Sequence, residues 1–487
     1  MMASALFSLA YRAQIPLNSR PCGNCTTNSW LRVALVLRRQ IFRSALRLPL
    51  PERLRPIQRK CYNSVLSVID GGLMNRAARI GIIGISVVIF CYAGLGHVLG
   101  RTPDDKAYKS LTVYGEVLQK IQNDYVDDPN IPLVTAGSLH GLLESLDPQS
   151  SYLTPREYAE YKQKLAANAA GETGLTMSKR SGYIIAVSVV PDSPAEKSGI
   201  HSGDFLESVA GFTTREMSIG QALNLLRGLP GTSVRVGVIR SGKAEPEEVD
   251  LVREKVTPPK MQLTKVDSDV FAVRLQSLDA GRVEELRSRI GEAEKQGAHK
   301  IILDLRNCGR GSASEGIAAA RLFLSSGTIA TLRGQTVSAQ VFSAEPNKVA
   351  WKGPVSILMD GTTSGAAEIL ASALEMNHRG ELVGERTFGL ASEQKLITLD
   401  DGSALILTVA NYYNGSGKSI LDEGVVPTEV VRAAFVDSSD GSDDDDSTTN
   451  TGAATSQTPP SIKPLSPDDP VLKKALELFK TPAKKAA

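Results

Sequence analysis

Three sets of side chains in this sequence could break a bond, and each is incomplete. The first is Thr362-Thr-Ser-Gly-Ala-Ala-Glu368, a polar turn running into an apolar helical stretch, with Ser364 directly before Gly365. A serine hydroxyl attacks a carbonyl only when a base takes its proton. At the head of a helix Ser364 is better suited to be the N-cap, and that role is expected for it. The second set is Ser392 and Lys395, three positions apart on a segment expected to be extended, which sends them to opposite faces. The third is Cys308, which has no paired histidine nearby and is expected to be a small buried hydrophobe. Gly311-Ser-Ala-Ser-Glu315 is read as a turn and a helix start. His97, His140, His201, His299 and His378 are scattered and form no metal motif. Cys22-Gly-Asn-Cys25 has metal or redox spacing but lacks a second pair. No cofactor or metal is expected.

These residues need elements to position them. Val355–Met359 reads as a buried strand and 366–376 as the helix after the turn. Lys300–Leu305 is a β-rich run feeding a glycine-rich turn, and Gly316–Leu324 is expected to be helical. Strand–turn–helix recurrence over 256–436 implies an α/β layer. Residues 171–253 change to short β runs, Tyr183–Val190 and Val234–Ile239 among them, with a helix from Ser218 to Leu226. Upstream, 108–169 reads as helical, with Thr154-Pro-Arg-Glu157 as a capping box.

The ends differ from the body. Residues 1–79 carry 13 Lys and Arg against Glu52 and Asp70. Residues 80–100, IGIIGISVVIFCYAGLGHVLG, have no formal charge and are long enough to span a bilayer as a helix. Arg76 and Arg79 before the span, and Asp104 and Asp105 after it, put the N-terminus in the cytoplasm and the body outside. A cleaved signal peptide is the rival reading. Met74-Asn-Arg-Ala-Ala-Arg79 makes a natural start for a signal anchor, so 1–73 is read as sequence upstream of the true start, the rival being a transit peptide. Residues 437–470, with the run Asp443 to Asp446, are expected to be a disordered linker, and 471–487 to hold a short helix. A net charge of +2 gives no field for nucleic acid.

Ser193-Pro-Ala-Glu-Lys-Ser-Gly-Ile-His-Ser-Gly-Asp204 resembles the "SPAxxAGIxxGD" signature of bacterial PDZ domains, and Arg227-Gly-Leu-Pro-Gly-Thr232 their "RGxxGT" turn. That resemblance implies capture of a C-terminal peptide as an added strand. Gly174, Leu175, Thr176 and Met177 fall at the family's carboxylate loop, with Leu175 and Met177 expected to line the pocket. Leu146-Asp-Pro-Gln-Ser-Ser-Tyr-Leu153, Ile301-Ile-Leu-Asp-Leu-Arg-Asn307, Gly384-Glu-Arg-Thr-Phe-Gly389 and Gly424-Val-Val-Pro427 are similar, in order, to motifs of the tail-specific, carboxyl-terminal processing serine peptidases, peptidase family S41. The resemblance covers roughly 108–431.

In that family a serine stands three residues before the Glu of "SASASE", a lysine follows "TFG", and a Gln comes four later. Here the serine position is Gly365, the lysine position is Leu390, 25 residues on, and the Gln is retained as Gln394. Glycine has no nucleophile and leucine accepts no proton. The family's "NPGG" turn aligns with Cys308-Gly-Arg-Gly311, and Gly415 replaces a usual proline.

The expected architecture is therefore α+β and multidomain. It comprises a basic extension (1–79), a transmembrane helix (80–100), a helical cap (105–169), a PDZ β-domain (170–255) and an α/β peptidase-like core (256–436). Three functions stay open. One is a membrane-anchored pseudopeptidase, single-pass with its body on the periplasmic or extracytoplasmic side, that binds C-terminal or unfolded segments and forms oligomers with itself or with an active peptidase. Another is a working serine peptidase with Ser364 as substitute nucleophile. The last is a structural envelope protein.

Overall fold

The computed structural model describes residues 105–166, 171–240, 243, 245–432 and 465–480. The expected membrane span at 80–100, the basic segment before it and the acidic run at 443–446 lie outside the described residues. Among the described residues no helix is long and apolar enough to cross a membrane. By compactness the chain divides after Gly115. The first unit contributes only the opening of the first helix to the described residues, and all the others belong to the second.

Helices α1 (Asp105–Asp124) and α2 (Ile131–Glu144) open the described chain. The three-residue strand β1 (Ser151–Leu153) and helix α3 (Pro155–Ala166) come next. The Thr154–Glu157 box forms as the sequence implies: the Thr154 N–H donates to Glu157 Oε2 at 2.8 Å, and the Glu157 N–H to Thr154 Oγ1 at 3.3 Å. β1 corrects the expectation of helix and turn alone in this region. It is fully buried and pairs with a strand some 250 residues away, Ser151 opposite Ile406. That distant partner, not local propensity, makes it a strand.

The PDZ β-domain holds β2 (Leu175–Arg180), β3 (Tyr183–Val189), α4 (Pro194–Lys197), β4 (Phe205–Val209), β5 (Phe212–Thr213), α5 (Ile219–Leu226), β6 (Ser233–Ile239) and β7 (Glu247–Val252). The sheet is antiparallel in the order β2-β3-β4-β6-β7, which leaves β2 at an edge. Ser218 and Gln221 cap α5 reciprocally, each side chain accepting the other residue's N–H. Ile184, Leu206, Val236 and Leu251 form the centre of its core.

The peptidase-like domain carries β8 (Gln262–Lys265), β9 (Val270–Arg274), α6 (Arg282–Lys295), β10 (Lys300–Asp304), α7 (Ala313–Arg321), β11 (Thr328–Arg333) and β12 (Gln340–Ser343). Then come β13 (Val355–Met359), α8 (Ala366–Met376), β14 (Gly380–Gly384), β15 (Ser392–Thr398), β16 (Ala404–Tyr413), β17 (Glu429–Val430) and α9 (Pro470–Lys480). Its main sheet runs β17-β14-β13-β10-β9-β8 and is parallel except for β8. Helices α6, α7 and α8 cover one face through Leu286, Ile290, Ile317, Ile369 and Leu370. The other face, with Ala272, Ile302, Leu358 and Val383, is covered by Val471, Leu472 and Ala475 of α9. Covered on both sides, β10 and β13 carry near-continuous apolar stretches, Ile301–Leu303 and Ile357–Met359. A second sheet joins β1, β16, β11, β12 and β15.

Two boundaries shift. Helix α7 begins at Ala313, capped by Ser312, three residues before the expected Gly316. Residues 465–470, expected inside the linker, already belong to the docked end: Asp469 accepts the Val471 N–H at 2.9 Å and pairs with Arg306 at 2.7 Å.

Candidate functional site

The site lies at the carboxyl ends of β10, β13 and β14, where parallel sheets place their functional loops. A larger hollow of about 360 Å³ beside His299 and Trp351 sits at the opposite, amino ends of these strands.

The turn from β13 into α8 is tied down residue by residue. Asp360 is half-buried, and loss of hydration pushes its carboxyl above the usual range. It accepts the Thr362 N–H at 2.9 Å and the Thr362 hydroxyl at 2.5 Å. Thr363 Oγ1 donates to Leu305 O at 2.9 Å, and the Ser364 N–H to Cys308 O at 3.1 Å. Gly365 then turns the chain at φ 61°, ψ −115°. A positive φ costs an L-residue about 1–2 kcal/mol. Strained strand-to-helix elbows of this kind are where α/β hydrolases present a nucleophile. A Cβ built on Gly365 meets nothing within 4 Å.

Glu368, one turn into α8, joins this elbow to the loop bearing Leu390. Its Oε2 accepts the Gly365 N–H at 2.7 Å and the Leu390 N–H at 2.8 Å. Its Oε1 accepts the Thr387 hydroxyl at 2.6 Å and the Gly389 N–H at 2.5 Å. Because one oxygen takes both N–H groups, the Gly365 and Leu390 nitrogens lie within 5.5 Å of each other. Burial pushes the Glu368 carboxyl up to about 7, while the donors from Thr387, Leu390, Gly365 and Gly389 pull the other way. A glutamate inside an otherwise apolar helical run was the available signal for this staple.

Ser364 is not the N-cap. Gly365 takes that place, and the Glu368 side chain satisfies its N–H. Ser364 is 1% exposed, and its hydroxyl has no hydrogen-bond partner among the described residues. It faces Gly309, where a Cβ would come within 2.8 Å of Ser364 Oγ and 2.2 Å of Ser188 Oγ. Cys308 is buried, and burial pushes its thiol up to about 12, which removes it as a thiolate nucleophile. Ser392 opens β15 and Lys395 is exposed on it. Gln394 is exposed as well, and its Nε2 donates to Gln149 O at 3.2 Å. Gln149 and Leu390 line the same cavity, of about 150 Å³, at the end of β2.

The 307–311 turn is anchored to the PDZ domain. Asn307, at φ 59°, clasps Val189 on both sides: its Nδ2 donates to Val189 O at 2.6 Å and its Oδ1 accepts the Val189 N–H at 3.0 Å. Arg310 pairs with Glu172 at 2.5 Å and with Asp279 at 2.9 Å. The contacts of Asn307 with Val189 and of Arg310 with Glu172 join residues more than 100 positions apart. They leave no local pattern, and the sequence reading missed both.

At the PDZ loop Gly174 has φ 85°, and a Cβ there would fall 2.2 Å from Ser193 Cβ. Only glycine fits this approach. Its carbonyl accepts the Val190 N–H at 2.8 Å. Leu175 and Thr176 are half-buried at the start of edge strand β2. Met177, expected to line the pocket with Leu175, is 4% exposed and packs into the domain core. Its side chain follows the core face of β2.

A parallel α/β sheet with an elbow at its carboxyl ends, joined to a PDZ domain, defines a serine-peptidase-like protein. A family model described as peptidase family S41 matches residues 269–431, and one described as a PDZ domain matches 185–240. The carboxy-terminal processing protease CtpA of Bacillus subtilis is 30% identical over 335 residues, 68% of this chain and 70% of that protein. The carboxy-terminal-processing protease of Bartonella bacilliformis is 28% identical over 345 residues, 70% of this chain and 79% of that one. Among solved structures, a photosystem II D1 C-terminal processing protease aligns with a TM-score of 0.55 at 25% identity, over 66% of this chain and 92% of that one. The chain belongs to peptidase family S41 and carries a PDZ domain.

Proposed function

We propose that this protein is a pseudopeptidase: it binds C-terminal or unfolded polypeptide segments through its PDZ edge strand and does not cleave them. A membrane helix at 80–100 holds its body outside the cytoplasm, where it acts with itself or with an active family member. The observation that carries this reading is the pairing of Gly365 and Leu390. One carboxylate oxygen binds both backbone N–H groups, so the two catalytic positions keep their proximity while both side chains lack the chemistry. The buried Ser364 hydroxyl, facing Gly309, is no substitute nucleophile. The PDZ assignment and the names of the relatives support capture of C-terminal segments.

The test is cleavage of an unfolded protein by the purified chain, beside a Gly365→Ser, Leu390→Lys variant. The expected result is an inert natural protein, with cleavage appearing in the double variant because the serine Cβ enters open space. Cleavage by the natural protein that Ser364→Ala abolishes would overturn the proposal.

A further inference from the structure

We propose that the cavity walled by Leu390 is a second recognition subsite, taking one apolar side chain of a bound tail about five residues upstream of its free carboxylate. The inference rests on the tail-capture reading above and adds to it a position and a side-chain class. The cavity holds about 150 Å³, and a hollow of that size admits a benzene-sized group. Phe388, Leu390 and Leu421 supply its apolar wall, and Gln149, Arg180 and Asp422 its rim. The Arg180 guanidinium lies 5.8 Å from the Phe388 ring centroid. Lys179, also on the lining, is paired with Glu144 at 2.7 Å, and Arg180 and Asp422 carry opposite charges, so no single sign dominates, while the wall penalises any charge that enters. A neutral, bulky side chain is the occupant this lining selects. Leu390, standing where the family pattern has a lysine, makes that wall apolar.

The direction of β2 sets the position. The strand starts at the Gly174 loop and ends at Arg180, on the cavity. It is an edge strand, so its outer side can accept another chain. A tail whose carboxylate is held at the amino end of β2 runs antiparallel to it. The six residues of β2, at about 3.3 Å each, carry that tail roughly 20 Å from the loop to the cavity.

The experiment uses the full chain in detergent and labelled decapeptides with free carboxylates. Their sequence is polar except for one leucine, moved stepwise from three to seven residues upstream of the end, and affinity is read by fluorescence anisotropy. Binding should peak with the leucine about five residues upstream, roughly tenfold above the all-polar peptide, as filling an apolar pocket implies. Leu390→Asp should flatten that peak. A flat scan on the natural protein, with carboxylate-dependent binding intact, overturns the subsite and leaves tail capture standing. A peak that survives Leu390→Asp places the pocket elsewhere and also overturns it. If no free-carboxylate peptide binds, tail capture itself fails and the subsite fails with it.

Discussion

Glu368→Gln tests the staple that joins the Gly365 elbow to the Leu390 loop. The folded carboxyl is pushed up to about 7 from an ordinary 4.5. Between those values the folded chain binds the proton more tightly than the unfolded chain does. Stability from this group is therefore fully present below pH 4.5 and is lost as pH rises through 7. At 1.36 kcal/mol per unit, the loss between pH 5 and pH 8 is about 2–3 kcal/mol. Glutamine does not titrate, so the variant lacks this slope. It also turns an amide NH₂ toward N–H groups that had an acceptor, at a cost of about 1–3 kcal/mol for each donor left unsatisfied. The cost of the substitution should thus be about 2–3 kcal/mol larger at pH 5 than at pH 8. The assay is urea unfolding at both pH values, followed by Trp351, which is 3% exposed in the same core, in a Trp30→Phe background. An equal cost at both pH values would refute the reasoning, since the carboxylate would then be ionised throughout.

Two further substitutions probe the long-range contacts. Asn307→Gly keeps the positive φ but removes both hydrogen bonds to Val189; it should cost about 2–4 kcal/mol and speed hydrogen exchange at the Val189 amide at least tenfold, and an unchanged exchange rate would show that the clasp is redundant. Leu472→Ala deletes a side chain 2% exposed beneath α9; it should cost about 2–4 kcal/mol in the same urea assay, and a cost under about 0.5 kcal/mol would mean that α9 docks without it.

The parts of the fold that could be read in the sequence are those whose causes are local. Val355–Met359 is a mostly apolar stretch because the sheet buries both its faces, and the Thr154 cap depends on a residue three positions on. The assignment of Gly365 and Leu390 to the family's serine and lysine positions rests on unbroken spacing between the motifs on either side. Part of what escaped reading depends on contacts remote in the chain. Ser151–Leu153 is a strand only because Ile406 and its neighbours come to meet it. Ser364 looks like a cap until Gly365 takes the positive φ and Glu368 closes the box, which turns the serine toward Gly309.

The docking of α9 also bears on how the chain is made. The face formed by Ala272, Ile302, Leu358 and Val383 is complete once Val430 has left the ribosome, yet its cover ends at Lys480. At about 5–20 residues per second, translation leaves that face bare for several seconds. For that interval the nascent chain carries an uncovered sheet of β-branched and aliphatic side chains, a natural target for a holdase and the point in its life at which it is most prone to aggregate.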